Sequence, residues 1–237
     1  MDLDIIVPVY NEENVIETTL SRIIAVKFPK YITDIHIIVV DDHSSDSSTD
    51  KVKAFKYKYP EKHIELLKLN KNAGKGAAVR YGIENSGSEL ITIQDADLEL
   101  IPDDIPVMIE TLTGLNLQFV NGSRYLPGIP RPLPSYRRYL ANRFMTWLTS
   151  MLINVKLTDM ACGHKLFTRN LYEKLELREN RFGFEAELII KSMRIRKNNI
   201  TEIPVNYFPR DNKGGKKLKN IDGIKILFAI VKYSLKR

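Results

Sequence analysis

Two aspartates, Asp95 and Asp97, are the residues of this chain best placed for chemistry, because they directly follow an apolar run at positions 90–93. Residues two apart in a strand lie on one face, so both carboxylates can reach a single cation where the strand ends. Mg²⁺ or Mn²⁺ takes few protein carboxylates and completes its coordination with phosphate oxygens and water. The pair predicts a metal site at a nucleotide diphosphate, with Asp97 the more direct ligand and Asp95 nearer the ribose or phosphate. A solvated acidic turn is the alternative.

A third carboxylate and a lysine are candidates for the same nucleotide site. Asp42 follows the apolar run at 35–40, where its oxygens can accept hydrogen bonds from a base or a ribose. Together with Ser44 it can equally cap the next helix. Lys75 lies in a loop with two glycines, whose backbone N–H groups can bind phosphate ahead of a helix. The loop lacks the Gly-x4-Gly-Lys-Ser/Thr pattern, so a nucleoside triphosphatase is not predicted.

Five basic residues beyond the aspartate pair are candidates for binding phosphate: Arg124, Arg210, Lys213, Lys216 and Lys217. The arginine fork binds phosphate oxygens in two places, whereas lysine contributes a looser charge. A solvated basic loop is the alternative, particularly around Lys213. Asp159 is the best carboxylate for base catalysis outside the pair, and it can also orient the arginines. Glu185 and Glu187 open a predicted helix, where stabilisation of the helix dipole explains their position.

The histidines and the single cysteine are not assigned to the site. His36, His43, His63 and His164 are scattered along the chain without the spacing of metal ligands. Cys162 has no evident partner histidine, so we predict that it packs in the interior and is not a nucleophile.

Short apolar runs alternate with helical patterns through the amino-terminal part of the chain, in the order β-α-β-α-β-α-β. This order predicts an α/β fold with a mostly parallel, Rossmann-like sheet and helices on both faces. The predicted strands lie at 4–9, 35–40, 64–69, 90–93, 118–121 and 200–208. The acidic stretch at 11–14 predicts the start of the first helix.

The same patterns predict how the chain is divided. Residues 1–210 are expected to form one domain, with a nucleotide-binding half at 1–97 and an acceptor-binding half at 98–210. Residues 211–237 are expected to form a basic loop and an amphipathic terminal helix.

Composition and charge limit the possible partners. The net charge of +7 and the pI of 9.3 call for an anionic partner, such as a phosphorylated substrate, an acidic membrane surface or nucleic acid. The first residues are acidic and do not have a signal-peptide pattern, so no signal peptide is expected, and no apolar run reaches the roughly 18 to 20 residues that span a bilayer. With one cysteine, the chain fits a reducing compartment.

Two segments with helical apolar spacing and basic ends, at 136–155 and 224–235, are typical of helices that lie in a membrane interface. Packing on the core or on a second subunit is the alternative. We therefore expect a protein of the cytoplasm that binds peripherally to the cytoplasmic membrane face, with a homo-oligomer or a membrane-anchoring partner as further options.

Seven segments occur in one order along nearly the whole chain: Val7-Pro8-Val9-Tyr10-Asn11-Glu12-Glu13, Asp41-Asp42-His43-Ser44-Ser45-Asp46, Asn72-Ala73-Gly74-Lys75-Gly76-Ala77-Ala78, Asp95-Ala96-Asp97, Gly122-Ser123-Arg124-Tyr125, Asp159 with Cys162-Gly163-His164-Lys165-Leu166-Phe167, and Phe182-Gly183-Phe184-Glu185-Ala186-Glu187. Together they resemble the inverting family 2 glycosyltransferases, and within them the polyprenyl-phosphate sugar synthases.

The resemblance implies a GT-A type fold and a role for several residues. Pro8, Tyr10 and Glu12 would contact the nucleotide base and ribose, and Asp42 would face the base. The aspartates of Asp95-Ala96-Asp97 would hold Mg²⁺ or Mn²⁺, and Arg124 would meet the phosphate of the donor or the acceptor.

The implied activity is inverting transfer of a hexose from UDP-glucose or GDP-mannose to a dolichyl or undecaprenyl phosphate. A family 2 enzyme that acts on a sugar hydroxyl in polysaccharide or glycan synthesis is the nearer alternative. A nucleic-acid-binding module, suggested by the pI and the basic loops, is more distant, because the sequence has no helix-turn-helix, RNA-recognition or zinc-finger pattern.

Overall fold

The structure of this chain, a computed structural model, describes residues 1–130, 132, 135–195, 199–209 and 220–235. Strands and helices alternate along most of it. The strands are β1 (Asp2–Val9), β2 (Asp34–Asp41), β3 (His63–Lys68), β4 (Leu90–Ile93), β5 (Phe119–Ser123), β6 (Lys165–Thr168) and β7 (Ile200–Pro204). The helices are α1 (Ile16–Ala25), α2 (Ser48–Lys58), α3 (Lys75–Glu84), α4 (Asp104–Gly114), α5 (Tyr136–Ile153), α6 (Arg169–Tyr172), α7 (Gly183–Ile195) and α8 (Asn220–Leu235).

The strands form one sheet in the order β3-β2-β1-β4-β6-β5-β7. β1 is central, and it pairs in parallel with β2 on one side and with β4 on the other. Only β6 among these strands runs against its neighbours, since it is antiparallel to both β4 and β5. The predicted mostly parallel sheet is therefore confirmed, and strands from both halves of the chain contribute to it.

Each face of the sheet has its own apolar core, because successive side chains of a strand point to opposite faces. In β1, Ile5 and Val7 face a core built with α1, α2 and α4. Ile6 faces the other core, to which α3, α7 and α8 contribute. The parallel strands are thus buried on both faces, which explains why their sequences read as continuous apolar runs.

Three expectations about local structure need correction. No strand was predicted at β6, because its four residues carry too short a pattern to be distinguished from a turn. β7 ends at Pro204, before the predicted limit of residue 208. The first helix begins at Ile16, later than the acidic stretch at 11–14 suggested, because Asn11 adopts a left-handed backbone conformation with φ of 51° that a helix cannot contain.

The terminal helix α8 is apolar on two sides. One side packs into the core through residues such as Ile226 and Ile230. The other side is also apolar, and its residues Ile224, Phe228, Val231 and Leu235 are exposed.

The neighbouring helix α5 also carries an exposed apolar stripe. Its members are Tyr136, Leu140, Phe144, Trp147 and Met151, at helical spacing along one side. Within the described residues, no helix is both long and apolar enough to cross a membrane.

Candidate functional site

The predicted site residues gather at the carboxyl-terminal edge of the sheet, where β1, β2, β4 and β5 all end. The connections after β1 and β4 leave this edge on opposite sides, so the crevice between the two strands is a topological switch point. Ligands of open α/β sheets bind in such crevices. The segments that follow these strands carry Tyr10, Asp42, Asp95 and Arg124.

Lys75 joins two carboxylates at the centre of this edge. Its Nζ lies 2.7 Å from Asp95 Oδ1 and 2.8 Å from Glu185 Oε1. Burial alone would lower the pKa of Lys75, but the two carboxylates raise it above its usual value, so the ammonium stays charged. A fixed positive charge therefore lies at the first residue of α3, at the helix end that favours anions.

Gly163 allows the chain to pass directly against Asp95. A Cβ atom at position 163 would collide with Asp95 Oδ2, so any larger residue would force this carboxylate to shift. The next residue, His164, is fully buried and its Nε2 lies 2.8 Å from Gln94 Oε1. Burial lowers the pKa of His164 to about 4, so a neutral imidazole supports the strand end that carries Asp95.

Asp97 lies in a tight turn beside this group. Its Oδ1 accepts a hydrogen bond from the Glu99 backbone N–H at 3.1 Å, and the intervening Leu98 has a φ of 61°, which is rare for a branched residue. Strained turns of this kind concentrate at functional sites. Asp97 lines a cavity whose other walls include Lys75, Asp95, Glu99, Arg124, Gly163, Phe182, Glu185 and Tyr207.

Asp42 fastens the glycine-containing loop to the end of β2. Its Oδ1 accepts the N–H of Ala73 at 2.7 Å, and its Oδ2 accepts the N–H of Gly74 at 2.8 Å. Burial raises the pKa of the Asp42 carboxyl, and these two backbone donors oppose the rise. Gly74 has a φ of 104°, so the loop geometry requires glycine at this position. Asp42 shapes the loop that precedes Lys75.

The segment after β1 is joined to the segment after β2. The Asn11 N–H donates to Ser44 Oγ at 3.0 Å, and the Glu12 N–H donates to Ser48 Oγ at 2.8 Å. Pro8 is the penultimate residue of β1, and Tyr10 directly follows the strand. The structure therefore brings Pro8, Tyr10 and Glu12 to the same edge as Asp42, which is the edge where the family resemblance would have them meet a nucleotide.

Arg124 and Asp159 form a buried, bidentate ion pair on the other side of the cavity. Arg124 Nε lies 2.7 Å from Asp159 Oδ2, and Arg124 Nη2 lies 2.9 Å from Asp159 Oδ1. The carboxylate also accepts the backbone N–H groups of Arg124 and Ala161. Burial opposes the charge of Arg124, yet Asp159 raises the pKa of the guanidinium. Both oxygens of Asp159 are thus engaged in holding Arg124.

A second layer supports this pair. Glu202, on β7, accepts the backbone N–H of Thr158 at 2.7 Å and the side-chain amide of Asn121 at 3.0 Å. The Asn121 Oδ1 in turn accepts a hydrogen bond of 2.6 Å from Nζ of the fully buried Lys165. Burial lowers the pKa of this lysine. Side chains of β5, β6 and β7 therefore hold the segment around Asp159 in place.

Sequence analysis singled out some site residues and missed others. Glu185 was explained as a helix-capping carboxylate, whereas its side chain contacts Lys75; the segment 182–187 was the signal that could have identified it. Cys162 is buried as expected, and burial raises the pKa of its thiol to about 12. Arg210, Lys213, Lys216 and Lys217 lie outside the residues that the structure describes.

Comparison with known proteins identifies a family that matches most of this chain. Residues 4–176 match the model of "Glycosyl transferase family 2". A dolichyl-phosphate beta-glucosyltransferase of Trichomonas vaginalis is 31% identical over 247 residues, which cover 97% of this chain and 70% of that protein. A dolichol-phosphate mannosyltransferase of Pyrococcus furiosus is 28% identical, over 92% of this chain and 60% of that protein. The chain thus spans only part of each relative's length.

The fold is shared with a solved glucosyl-3-phosphoglycerate synthase. Glucosyl-3-phosphoglycerate synthase from Mycobacterium tuberculosis, in complex with Mn²⁺, UDP and glucosyl-3-phosphoglycerate, aligns with a TM-score of 0.74. The alignment covers 98% of this chain and 79% of that one at 16% identity, so the likeness concerns the fold alone. It confirms the expected GT-A type architecture. By the match over residues 4–176, this chain belongs to glycosyl transferase family 2, a family of enzymes.

Proposed function

We propose that this chain transfers a hexose, with inversion, from a nucleoside-diphosphate sugar to a polyprenyl phosphate. UDP-glucose and GDP-mannose are the two donors considered, in keeping with the named activities of the relatives. The observation that carries the proposal is the cavity that brings Asp95, Asp97, Lys75 and Arg124 together at the switch point of the sheet.

In the proposed reaction, the amino-terminal half binds the nucleotide. Tyr10 and Glu12 contact the base and ribose. Asp42 contacts the same part of the donor and also holds the loop before α3. Lys75 places its ammonium near the diphosphate, and Asp95 keeps this ammonium in position through an ion pair of 2.7 Å. Glu185 limits the movement of the lysine from the opposite side.

Asp95 and Asp97 are the proposed ligands of the divalent cation. Their oxygens suit a hard ion, and Mg²⁺ and Mn²⁺ need only one or two carboxylates when phosphates fill the remaining positions. The close approach permitted by Gly163 fits this assignment, because it keeps the Asp95 carboxylate at the cavity wall. When bound, the cation would neutralise charge that develops on the leaving diphosphate.

Arg124 is the proposed group for the acceptor phosphate. A phosphate monoester is already an anionic nucleophile near neutral pH, so it needs positioning more than it needs a strong base. Asp159 already accepts hydrogen bonds at both oxygens, which favours a phosphate acceptor over a sugar hydroxyl that requires proton removal. We therefore assign Asp159 as the residue that positions Arg124.

A membrane surface is the proposed location of the acceptor. The exposed stripes of α5 and α8 lie on neighbouring helices and include Phe144, Trp147 and Phe228. Exposed arginines at positions 137, 138 and 143 accompany the α5 stripe. Aromatic side chains next to arginines are typical of helices that lie in the interface of anionic membranes.

A panel of UDP- and GDP-sugars tests the function. The purified chain is incubated with each donor, a polyprenyl phosphate and Mg²⁺ or Mn²⁺, and the lipid-linked product is quantified. One donor is expected to give a metal-dependent lipid product of inverted configuration. A free sugar hydroxyl, offered as the acceptor in parallel, is expected to give none. Transfer to the hydroxyl without lipid product would replace our acceptor assignment with the alternative.

The membrane assignment predicts a loss of binding when exposed aromatics are removed. The double substitution Trp147→Ser and Phe228→Ser is expected to weaken binding to anionic vesicles at least about tenfold, because each aromatic contributes about 1.5–3 kcal/mol when buried in lipid. Co-sedimentation with vesicles measures the change. Tyr57→Ser, which removes a side chain that is 90% exposed on α2, is the matched control and should bind normally. Equal binding by all three proteins would contradict the assignment.

A further inference from the structure

Two histidines and an aspartate converge at the amino-terminal edge of the sheet, on the side opposite the cavity. His36 Nε2 lies 2.9 Å from Asp34 Oδ2, and His63 Nδ1 lies 3.1 Å from Asp34 Oδ1. The imidazole rings stack with centroids 5.3 Å apart and an interplanar angle of 18°. One ligand atom from each residue lies within 4.8 Å of the other two.

The sheet itself creates this cluster. His36 and His63 are paired directly across β2 and β3 in the parallel register, so their side chains share one face. Asp34 lies two residues before His36 on the same strand and therefore on the same face. Positions that are scattered in the sequence thus become neighbours, an arrangement that linear spacing does not reveal.

A buried carboxylate orients one of the rings. His36 Nδ1 lies 3.3 Å from Asp4 Oδ1, and Asp4 is fully buried. Asp4 is itself held by the Ser88 hydroxyl at 2.7 Å and by Arg169 Nη2 at 3.2 Å. With Nδ1 directed at this carboxylate, Nε2 is the ring nitrogen that faces Asp34. A carboxylate behind a histidine in this way is the usual support of a metal-binding imidazole.

We propose that Asp34, His36 and His63 form a binding site for a divalent transition metal, best matched by Zn²⁺. Imidazole nitrogen with one carboxylate is a ligand set that Zn²⁺ prefers, whereas Mg²⁺ and Ca²⁺ favour oxygen alone. Ligand atoms about 2.0–2.2 Å from a tetrahedral Zn²⁺ lie about 3.4 Å apart, close to the separations of Asp34 from both rings. Three protein ligands leave a fourth position for water.

The exposure of the cluster makes the site accessible. His63 and Asp34 are partly exposed, whereas the ring of His36 is backed by the buried Asp4. The metal would bridge β2 to β3, the strand at the edge of the sheet. Binding to the folded chain would therefore stabilise it, since the unfolded chain does not bring the three ligands together.

Zinc titration of the metal-free protein tests the site. Isothermal titration calorimetry is performed with Mg²⁺ in excess, so that the Asp95 and Asp97 carboxylates are occupied by a hard ion. We expect one Zn²⁺ to bind per chain and to raise the Tm. His63→Gln and Asp34→Asn should each weaken Zn²⁺ binding at least about tenfold, as the loss of a ligand requires. Visible absorption of bound Co²⁺ should report nitrogen ligation and disappear in both variants.

The controls separate this site from other histidines and from the cavity. His43→Gln removes an exposed histidine at the opposite edge of the sheet and should leave Zn²⁺ affinity unchanged. Circular dichroism of each variant without metal verifies the fold. Absence of saturable Zn²⁺ binding by the unsubstituted protein would overturn the proposal and leave the cluster a hydrogen-bonded ion pair. Normal affinity in both ligand variants would overturn it equally.

Discussion

Asp97→Asn is expected to lower metal-dependent sugar transfer at least about a hundredfold while the fold remains intact. Removing one group that stabilises developing charge in a transition state typically costs a factor of about 100 to 1,000. The amide keeps the size of the side chain and can still accept the hydrogen bond from the Glu99 N–H, so the turn should survive. Initial rates measured across a Mn²⁺ titration, together with Mn²⁺ binding in the presence of UDP, report the effect.

Asp103→Asn is the matched control for Asp97→Asn. Asp103 is an exposed aspartate a few residues further along, just before α4, and its side chain caps no backbone group. Its substitution removes the same formal charge without touching the cavity, so transfer should be unchanged. If Asp97→Asn retained near-normal rates at every Mn²⁺ concentration, the assignment of Asp97 as a metal ligand would be wrong.

Asp159→Asn is expected to destabilise the protein by about 3 kcal/mol and to reduce transfer. Removing one partner of a buried ion pair leaves an uncompensated charge and typically costs about 3–5 kcal/mol. Here the Arg124 guanidinium would lose the negative charge of its partner and one of its two hydrogen bonds to position 159, because the amide keeps a single acceptor oxygen, while staying largely buried. Urea unfolding at constant m-value gives the change in the free energy of unfolding, and initial rates give the change in transfer.

A double substitution distinguishes positioning from base catalysis. Arg124→Met with Asp159→Leu replaces the ion pair by apolar groups, which is often neutral for stability. The variant should regain only part of the lost free energy of unfolding, because Leu leaves the backbone N–H groups of residues 124 and 161 without their acceptor, yet it should remain as inactive as Arg124→Met alone. If Asp159 were the general base, adding Asp159→Leu to Arg124→Met would lower the rate further, by a factor of about 100 to 10,000. Such a loss would refute the positioning role.

The fold was largely predictable because short strands that are buried on both faces consist almost entirely of apolar residues. Runs such as Leu90–Ile93 are uniformly apolar, and their alternation with helical patterns restricts the topology. The antiparallel β6 was not predictable in the same way. It comes late in the chain but inserts between β4 and β5, and four residues do not encode that position.

The aspartates of the site could be recognised because they directly follow strands that end at one edge. The order of the elements alone was enough to predict that Asp42 and Asp95 lie near each other. The partner of Lys75 on α7, by contrast, lies far along the chain, and the sequence offered helix capping as an equally simple explanation of Glu185. Local signals describe a carboxylate at a helix start, but they do not reveal which cation it meets.

By itself, the sequence of this chain determined where the buried parallel strands lie, the order of the elements apart from β6, and which polar groups follow each strand. Periodicity carries that information, because it records the face on which each side chain lies. Only the tertiary structure decided the pairings: Asp159 with Arg124, Glu185 with Lys75, and His36 with His63. These depend on strand register and on long-range packing, so no local pattern of residues could specify them.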